Sequence, residues 1–139
     1  MSAGMFHTCG LDTNNTITCW GNNERGQADA PQGEFSQVSA GGWGSHTCAL
    51  LADNTITCWG DNGSGETNAP QGQFSQVSAG SYHTCGLRTD NTITCWGAND
   101  SGQTDAPQGE FRQVSAGRNT SATRSYTADA PVAPGRVHG

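Results

Sequence analysis

Apolar and polar residues alternate along short stretches of this chain, which is the pattern that β-strands produce. In the segment HTCGLRTDNTITCWG, residues 83–97, Cys85 and Leu87 alternate with small or polar neighbours, and Ile93 and Cys95 do the same. Nowhere does a helical period occur together with helix caps. The pattern therefore predicts an all-β protein.

The two alternating halves of this segment are joined by a predicted three-residue turn, TDN, which ends at Asn91. Asparagine tolerates the left-handed conformation that such a turn requires. With the turn in this place, Leu87 faces Ile93 and Cys85 faces Cys95 across a hairpin. The glycine-rich stretch that follows predicts a loop, and APQGEFRQVSAG predicts a proline-started turn and another short strand.

Three tandem copies of this unit make up most of the chain. The tripeptide SAG begins at Ser2, Ser39, Ser78 and Ser115, at intervals of 37, 39 and 37 residues, and each interval contains one copy of TITCWG. Repetition with such a period is typical of solenoids and propellers. The predicted units are residues 1–38, 39–77 and 78–117.

Residues 118–139 break the pattern. They contain neither cysteine nor tryptophan and are rich in Ala, Pro, Ser and Thr. Such a composition offers few large apolar side chains to bury, so it favours a degenerate or disordered tail.

The hairpin register places the two cysteines of each unit opposite one another, as the pairs Cys9/Cys19, Cys48/Cys58 and Cys85/Cys95. Facing residues of an antiparallel pair are close enough for a disulfide. Each bridge would close a loop of about eleven residues and stabilise the fold by roughly 2.5–3 kcal/mol. That would compensate for a thin core, since apolar residues make up only 32% of the chain. Disulfides imply an oxidising, extracellular compartment.

Two alternatives for the cysteines remain open. His83, Cys85 and Cys95 could lie on one sheet face as three zinc ligands, although this spacing is uncommon for zinc and a fourth ligand is missing. Free buried thiols in a cytosolic protein are the other alternative. The disulfide interpretation is favoured, and the sequence predicts no metal site.

Charge narrows the range of partners. The chain contains six arginines and no lysine, and residues 1–117 carry eleven acidic side chains against three arginines, a net charge of −8. Such a surface repels a phosphate backbone, so nucleic-acid binding is disfavoured. No apolar run approaches the roughly 18 residues of a membrane span. The first ten residues show no signal peptide.

The repeated motif V-S-A-G-x-x-H-T-C-G-L-R-T-D-N-T-I-T-C-W-G-x-N-x-x-G-Q resembles the repeat of the regulator of chromosome condensation family, over residues 1–117. The resemblance implies a partial β-propeller of three short blades, with 37–39 residues per repeat and blades of four strands. It also implies that V-S-A-G forms the innermost strand. Short repeats with paired cysteines are similar to the bacterial, extracellular branch, which includes the β-lactamase inhibitor protein II group.

Rings of this family usually have about seven blades, and propellers in general have 4–8, so three blades cannot close. The chain would then be a fragment of a larger propeller, an open arc, or a protein that completes a ring with copies of itself. Met1 occupies the position that Val38 and Val77 hold before SAG. This phase favours a fragment that begins at an internal valine codon.

No catalytic motif is recognisable, so the sequence predicts neither an enzyme nor a cofactor. His7, His46 and His83 occupy equivalent repeat positions, and a structural role is expected for them. The stretch DNGSGE, residues 61–66, has some likeness to a calcium loop, but its counterparts keep no consistent carboxylates. Turn formation is the better interpretation.

Positions that vary between the repeats are candidates for partner binding. Two residues after the glycine of each SAG lies a different aromatic residue, Phe6, Trp43 or Tyr82, at one rim of the array. Aromatic side chains bury a large area with few rotatable bonds, which suits a protein-binding surface. The alternative is that these rings only cover the hairpin ends. Weaker candidates are the loop residues Glu24, Arg25, Ser64, Asp100 and Ser101.

The predicted function is that of a non-catalytic, secreted or surface protein–protein binding module with an unknown protein partner. The alternative is a structural or self-assembling segment of a surface protein that completes a ring by oligomerisation. Guanine-nucleotide exchange, the activity of the nuclear founder of the family, is tied to an inserted wedge. The largest insertion here is two residues, so this activity is disfavoured.

Overall fold

A computed structural model describes residues 1–43, 45–99, 102 and 104–116, together with the backbone of 126–128. Within these residues the regular secondary structure is entirely β-strand, which confirms the all-β prediction. The strands are β1 (Ser2–Ala3), β2 (His7–Leu11), β3 (Ile17–Gly21), β4 (Phe35–Ala40), β5 (His46–Leu51), β6 (Ile56–Gly60), β7 (Phe74–Ala79), β8 (His83–Arg88), β9 (Ile93–Gly97), β10 (Val114–Ala116) and β11 (Tyr126–Ala128).

The strands form three antiparallel sheets of three strands each, in the orders β1-β2-β3, β4-β5-β6 and β7-β8-β9. We call them blades 1, 2 and 3; β10 pairs with β11 in a further two-stranded sheet. The expectation of four strands per blade is wrong for the described residues. Residues 22–34 and 61–73, which follow the third strands of blades 1 and 2, form turns instead. Each contains a proline, which has no N–H to donate to a sheet.

The hairpin register is as predicted. Cys85 pairs with Cys95, and the other two hairpins have the equivalent pairs. Asn91 has a φ of 72°, in the left-handed region that the turn requires. The carboxylate of Asp90 accepts hydrogen bonds from the N–H and the hydroxyl of Thr92, which closes the turn. Local residue chemistry therefore sets the register of each hairpin.

Each hairpin contains a disulfide between its facing cysteines, whose Cα atoms are 4.0 Å apart in all three pairs. The bonds join Cys9 to Cys19, Cys48 to Cys58 and Cys85 to Cys95. All six cysteines are therefore oxidised, and the alternatives of zinc ligands and of free thiols are both wrong. Among the described residues, no three His, Cys, Asp or Glu side chains are grouped closely enough to hold a metal ion.

Hydrophobic cores lie between successive blades. Because side chains alternate along a strand, β5 directs Ala49 toward blade 1 and Leu50 toward blade 3. The largest core residues are Phe35 in the first core and Phe74 in the second, which are 2% and 0% exposed. One cysteine of each disulfide is also fully buried in a core. The first two cores therefore combine residues of two successive blades, and the third packs blade 3 against Phe111 and the strand β10.

The first strands of neighbouring blades contact each other directly. A Cβ atom at Gly41 would lie 2.8 Å from the carbonyl oxygen of His46 and 2.9 Å from that of Gly80, which is closer than real Cβ atoms come. The N–H of Ala79 donates to the hydroxyl of Ser39 at 3.0 Å, and the same bond occurs one repeat before and one repeat after. Small residues are therefore required in V-S-A-G, which forms the innermost strand.

Some predictions concern residues outside the described part of the chain. The predicted tail, residues 118–139, lies outside it apart from the backbone of 126–128, and the loop candidates Asp100 and Ser101 lie outside it as well. Within the described residues, no helix has the length and apolar character needed to cross a bilayer.

Candidate functional site

Two of the three predicted aromatic residues meet at the rim, just before the second strands of blades 1 and 2. The rings of Phe6 and Trp43 make an edge-to-face contact, with centroids 5.5 Å apart and an interplanar angle of 74°. Phe6 is 43% exposed and Trp43 is 56% exposed. Large aromatic side chains are usually highly buried, so this pair offers apolar area to a partner.

Of the other predicted rim residues, two lie beside the Phe6–Trp43 pair and two lie in later repeats. Tyr82 holds the equivalent position in blade 3, is half-buried, and does not join the pair. The loop candidates Glu24 and Arg25 lie beside the pair. Ser64, the counterpart of Arg25 in the second repeat, is exposed and lies outside this group.

The aromatic pair borders a groove of about 240 Å³, which we call the rim groove. Its polar wall comes from the loops after β3 and β6, where the Arg25 Nη1 atom lies 3.5 Å from the Asp61 Oδ1 atom. The Arg25 side chain is 64% exposed, so its guanidinium group remains accessible from solution. The groove is lined by Phe6, Asn22, Glu24, Arg25, Trp43, Ser45 and Asp61.

The loop that carries Arg25 is held in place by side-chain hydrogen bonds. Gln27 is 1% exposed, its Oε1 atom accepts from the N–H of Arg25 at 2.8 Å, and its Nε2 atom donates to Asn22 Oδ1 at 3.1 Å. Asn23 donates to the carboxylate of Asp29 at 2.8 Å. The backbone of Arg25 is therefore fixed before any partner arrives, which reduces the entropy lost on binding.

In the second repeat, Glu66 takes the place of Gln27. Glu66 is 0% exposed, and its Oε1 atom accepts from the N–H of Ser64 at 2.7 Å. Its Oε2 atom is buried without a hydrogen-bond partner. Burial raises the pKa of Glu66, and the nearby carboxylate of Asp61 adds to this effect. Sequence analysis missed this group, although a glutamate at a position held by glutamine in both other repeats is a visible signal.

In the supposed calcium loop, residues 61–66, the side-chain oxygens of Asp61 and Asn62 accept hydrogen bonds from nearby backbone N–H groups. Asp61 Oδ1 accepts from the N–H of Gly63 at 3.2 Å, and Asn62 Oδ1 accepts from the N–H of Thr67 at 2.8 Å. The first of these bonds has the two-residue spacing of an Asx turn, and the second ties the end of the loop back to its start. The geometry agrees with turn formation.

The repeat-phase histidines connect one blade to the next. His7, His46 and His83 are 3%, 0% and 0% exposed. The Nε2 atom of His46 lies 2.9 Å from the hydroxyl of Thr84, which itself donates to the carbonyl of Glu66 at 2.9 Å. Because that hydroxyl proton is used, the imidazole N–H must be the donor to the hydroxyl oxygen. Burial lowers the pKa of His46 to about 3, with smaller contributions from the two neighbouring histidines. A neutral, enclosed imidazole suits a structural role.

Comparison with solved structures places the chain among known propellers, although no curated protein sequence is significantly similar to it. The CRINKLY WD40 ectodomain of the Arabidopsis thaliana receptor kinase ACR4 is 28% identical, with a TM-score of 0.68 over 84% of this chain and 41% of that one. The ectodomain of the Physcomitrella patens receptor kinase CR4 is 31% identical, with a TM-score of 0.70 over 83% of this chain and 34% of that one.

A third similar structure is Prp20p from Saccharomyces cerevisiae, which has been examined for its binding to Gsp1p and histones. It is 18% identical, with a TM-score of 0.70 over 83% of this chain and 40% of that one, so it shares the fold. The chain thus spans less than half the length of each of these three proteins.

A family model identifies the repeats themselves. The model of the regulator of chromosome condensation (RCC1) repeat matches residues 1–27, 35–66 and 74–103, which together are more than half of the chain. Each match contains one disulfide-bonded hairpin and the glycine-rich loop that follows it. The chain therefore belongs to the regulator of chromosome condensation (RCC1) repeat family.

Proposed function

We propose that this protein is a non-catalytic protein–protein binding module and that the rim groove is its contact surface. The observation that carries the proposal is the exposed, mutually packed pair of Phe6 and Trp43 beside Arg25. Tryptophan, other aromatic residues and arginine are enriched among the residues that dominate binding energy at protein interfaces.

The groove offers two kinds of contact. The rings of Phe6 and Trp43 would cover an apolar or aromatic side chain of the partner, and their existing contact limits the freedom that they lose on binding. Arg25 would reach an acidic or carbonyl group at the edge of the interface, while Asp61 keeps its guanidinium group directed along the rim. We retain Tyr82 as a third, peripheral contact.

We further propose that the protein acts outside the cell, secreted or at the surface, and that it belongs to the bacterial branch similar to β-lactamase inhibitor protein II. Three disulfides support an oxidising compartment. Two of the similar structures are ectodomains of receptor kinases, which supports the same setting. Short repeats with paired cysteines support the bacterial branch.

The proposal is tested by capture of partners from the secreted and surface proteins of the source organism. The oxidised, biotin-tagged protein would be compared with the double variant Phe6→Ser/Trp43→Ser by quantitative mass spectrometry. A protein enriched by the original chain should bind the variant about thirtyfold more weakly, which corresponds to the roughly 2 kcal/mol of a hot-spot pair.

The matched control is Tyr82→Ser, which makes the same change at the equivalent position of blade 3. It should reduce affinity much less, because Tyr82 is half-buried and lies outside the groove. Both variants must keep their disulfides and near-ultraviolet circular dichroism. Undiminished capture by a folded double variant would refute the rim groove as the binding surface.

A further inference from the structure

The loop after β6 contains two carboxylates at positions where the loop after β3 has two amides. Asp61 stands in place of Asn22, and Glu66 stands in place of Gln27. The third repeat has alanine and glutamine at these positions. Of the three repeats, only the second therefore carries a carboxylate pair in this loop.

In the first repeat, an amide hydrogen joins the two side chains. The Oε1 atom of Gln27 accepts from the N–H of Arg25 at 2.8 Å, and its Nε2 atom donates to Asn22 Oδ1 at 3.1 Å. A hydrogen on Gln27 Nε2 thus connects the buried end of this loop to its start.

In the second repeat, the equivalent place lacks that hydrogen. The Oε1 atom of Glu66 accepts from the N–H of Ser64 at 2.7 Å, so Oε2 holds the position that Nε2 of Gln27 holds in the first repeat. Among the described residues, Oε2 has no hydrogen-bond partner, although it is buried. Two ionised carboxylates can only accept hydrogen bonds, whereas a carboxyl group that is protonated can donate one.

The hydrogen bonds of the two groups indicate where the proton is held. The Oδ1 atom of Asp61 already accepts from the N–H of Gly63 at 3.2 Å and lies 3.5 Å from Arg25 Nη1, whereas Glu66 Oε2 has no donor beside it. Burial raises the pKa of Glu66, and the charge of Asp61 adds to this effect. Glu66 is therefore the group that carries the proton, and Asp61 is the acceptor.

Other ionisable side chains reach this region from three further elements. The loop after β3 contributes Arg25, and β5 contributes His46, whose Nε2 atom contacts the hydroxyl that donates to the Glu66 carbonyl. Blade 3 contributes Tyr82 and His83, whose backbone lies beside the same glycine as the Glu66 Cα atom. Burial lowers the pKa of His46 to about 3, so its imidazole stays neutral in the range where Glu66 titrates.

We propose that Glu66 and Asp61 form a proton-binding site that links the pH of the solution to the acidic wall of the rim groove. The proton on Glu66 Oε2 is donated in a hydrogen bond to the Asp61 carboxylate, in place of the amide bond of the first repeat. When the pH rises, the proton passes to water and the two negative charges repel each other. Because Asp61 lines the rim groove beside Arg25, its displacement changes that wall. The inference is independent of the function proposed for the groove.

The test is a pH titration of the oxidised full chain, followed by nuclear magnetic resonance of its carbon-13-labelled carboxyl groups. The Glu66 signal should have its midpoint above the ordinary glutamate value of about 4.3. The Asp61 signal should show an inflection at the same pH, because the two groups share one proton. The N–H signals of Gly63 and Ser64, which donate to the two carboxylates, should shift with that midpoint.

The variant Asp61→Asn distinguishes a shared proton from the effect of burial alone. The first repeat shows that this loop accepts an amide at the same position. The introduced amide can donate to ionised Glu66, so the midpoint of Glu66 should fall. An unchanged midpoint in the folded variant would overturn the proposal, because burial alone would then explain the titration.

Transfer of the pair to the first repeat gives a matched comparison. In Asn22→Asp/Gln27→Glu the introduced glutamate should titrate at a higher pH than in Gln27→Glu alone, where the amide of Asn22 remains as a donor. Equal midpoints in these two variants would also overturn the proposal.

Two controls identify the occupant of the site. Glu66→Gln supplies the amide hydrogen at every pH, so the Gly63 signal should stay near the position that it has in acid. Calcium chloride added at pH 7 should leave the Asp61 and Glu66 signals unchanged. A saturable shift of both signals would identify a metal ion as the occupant and would overturn the proposal.

Discussion

The joint between blades 1 and 2 and the joint between blades 2 and 3 share their interior but differ at the rim. Each interior has one large phenylalanine, a histidine-to-threonine contact and an indole donor on a loop carbonyl. At the rim, the first joint has Arg25 and Asp61, whereas the second has Ser64 and Ala98 at the equivalent positions. The interior determines how blades stack, so rim residues can change without changing the fold.

The two joints also differ below the rim: the joint between blades 2 and 3 contains more ionisable side chains than the joint between blades 1 and 2. Arg88 places its guanidinium group 4.5 Å from the centre of the Phe74 ring, where the first joint has Leu51. Glu66 replaces Gln27 beneath the neighbouring loop. The two joints should therefore respond differently to core mutation and to pH, although their sequences are similar.

The largest difference in stability between the two joints is expected when the core phenylalanine of each is replaced by alanine. Phe35→Ala and Phe74→Ala should each destabilise the protein by about 3–5 kcal/mol, because each leaves a cavity in a core. The loss at Phe74 should be larger by about 1 kcal/mol, since its ring also contacts Trp96, with centroids 6.2 Å apart, and Arg88. Unfolding by denaturant measures both losses; equal values would show that the added contacts stabilise nothing.

Protonation of the buried histidines should weaken the joint between blades 2 and 3 more than the other one; this is measured in the Glu66→Gln background, because the buried carboxyl group of Glu66 titrates with the opposite effect on stability. Burial lowers the pKa of His46 to about 3, and burial also lowers the pKa of His7. The unfolded chain therefore binds protons below about pH 6.5 that the folded chain excludes. Stability decreases as the pH is lowered, by up to about 1.4 kcal/mol per pH unit for His46.

Indole exchange separates the two joints in this experiment. Between pH 7 and pH 5 the protection of Trp96, in the second joint, should fall more steeply than that of Trp59, in the first. The variant His46→Gln should have a shallower dependence of stability on pH. An unchanged slope in that variant would show that His46 does not carry the acid sensitivity.

Glu66→Gln should stabilise the protein by about 1 kcal/mol at pH 7, because it removes a buried, unpaired carboxylate oxygen. Burial raises the pKa of Glu66 above its unfolded value of about 4.3. The carboxyl group of Glu66 therefore favours the folded state fully below about pH 4.3, and this stabilisation is lost as the pH rises through the higher pKa of the folded protein. The gain should therefore disappear near pH 4.

The reciprocal variant Gln27→Glu places the same group in the first joint. It should destabilise the protein at pH 7 and approach the stability of the original chain in acid. Thermal unfolding at pH 4 and at pH 7 measures the stability of each of the two variants. A stabilisation by Glu66→Gln that is equal at pH 4 and pH 7 would contradict the assignment.

The smallest effect on stability is expected from Arg25→Ser, which gives the first joint the rim residue of the second. The ion pair with Asp61 is exposed, so stability should change by less than about 0.5 kcal/mol. Affinity for a partner identified by capture should fall, which calorimetry measures. The control Ser64→Arg adds an arginine without an acidic neighbour, because Ala98 stands in place of Asp61, and it should not raise affinity.

The hairpins were predictable because their determinants are local. Alternation and the turn residue Asn91 gave the register that pairs Cys85 with Cys95. The expected fourth strand was wrong, because asparagine side chains such as that of Asn23 hold the intervening residues in turns. Pairing between distant segments leaves no such local signal.

The candidate site was predictable only in part. Repeat phase identified Phe6, Trp43 and Tyr82 as rim residues, but it could not show that the first two meet while the third is half-buried. The segment before His46 contains two residues more than its counterparts, and Ser45 within it has a φ of 61°. Side-chain direction in an irregular turn does not follow from periodicity.

The closeness of each cysteine to its partner has a consequence for oxidative folding. Partners are ten residues apart in sequence, whereas bonds between different hairpins would close much longer loops. Short closures are entropically favoured, so correct pairing is the fastest pairing from a disordered chain. Each hairpin can then be oxidised as soon as its two strands have been made and reach an oxidising environment, without waiting for the following repeat to be made.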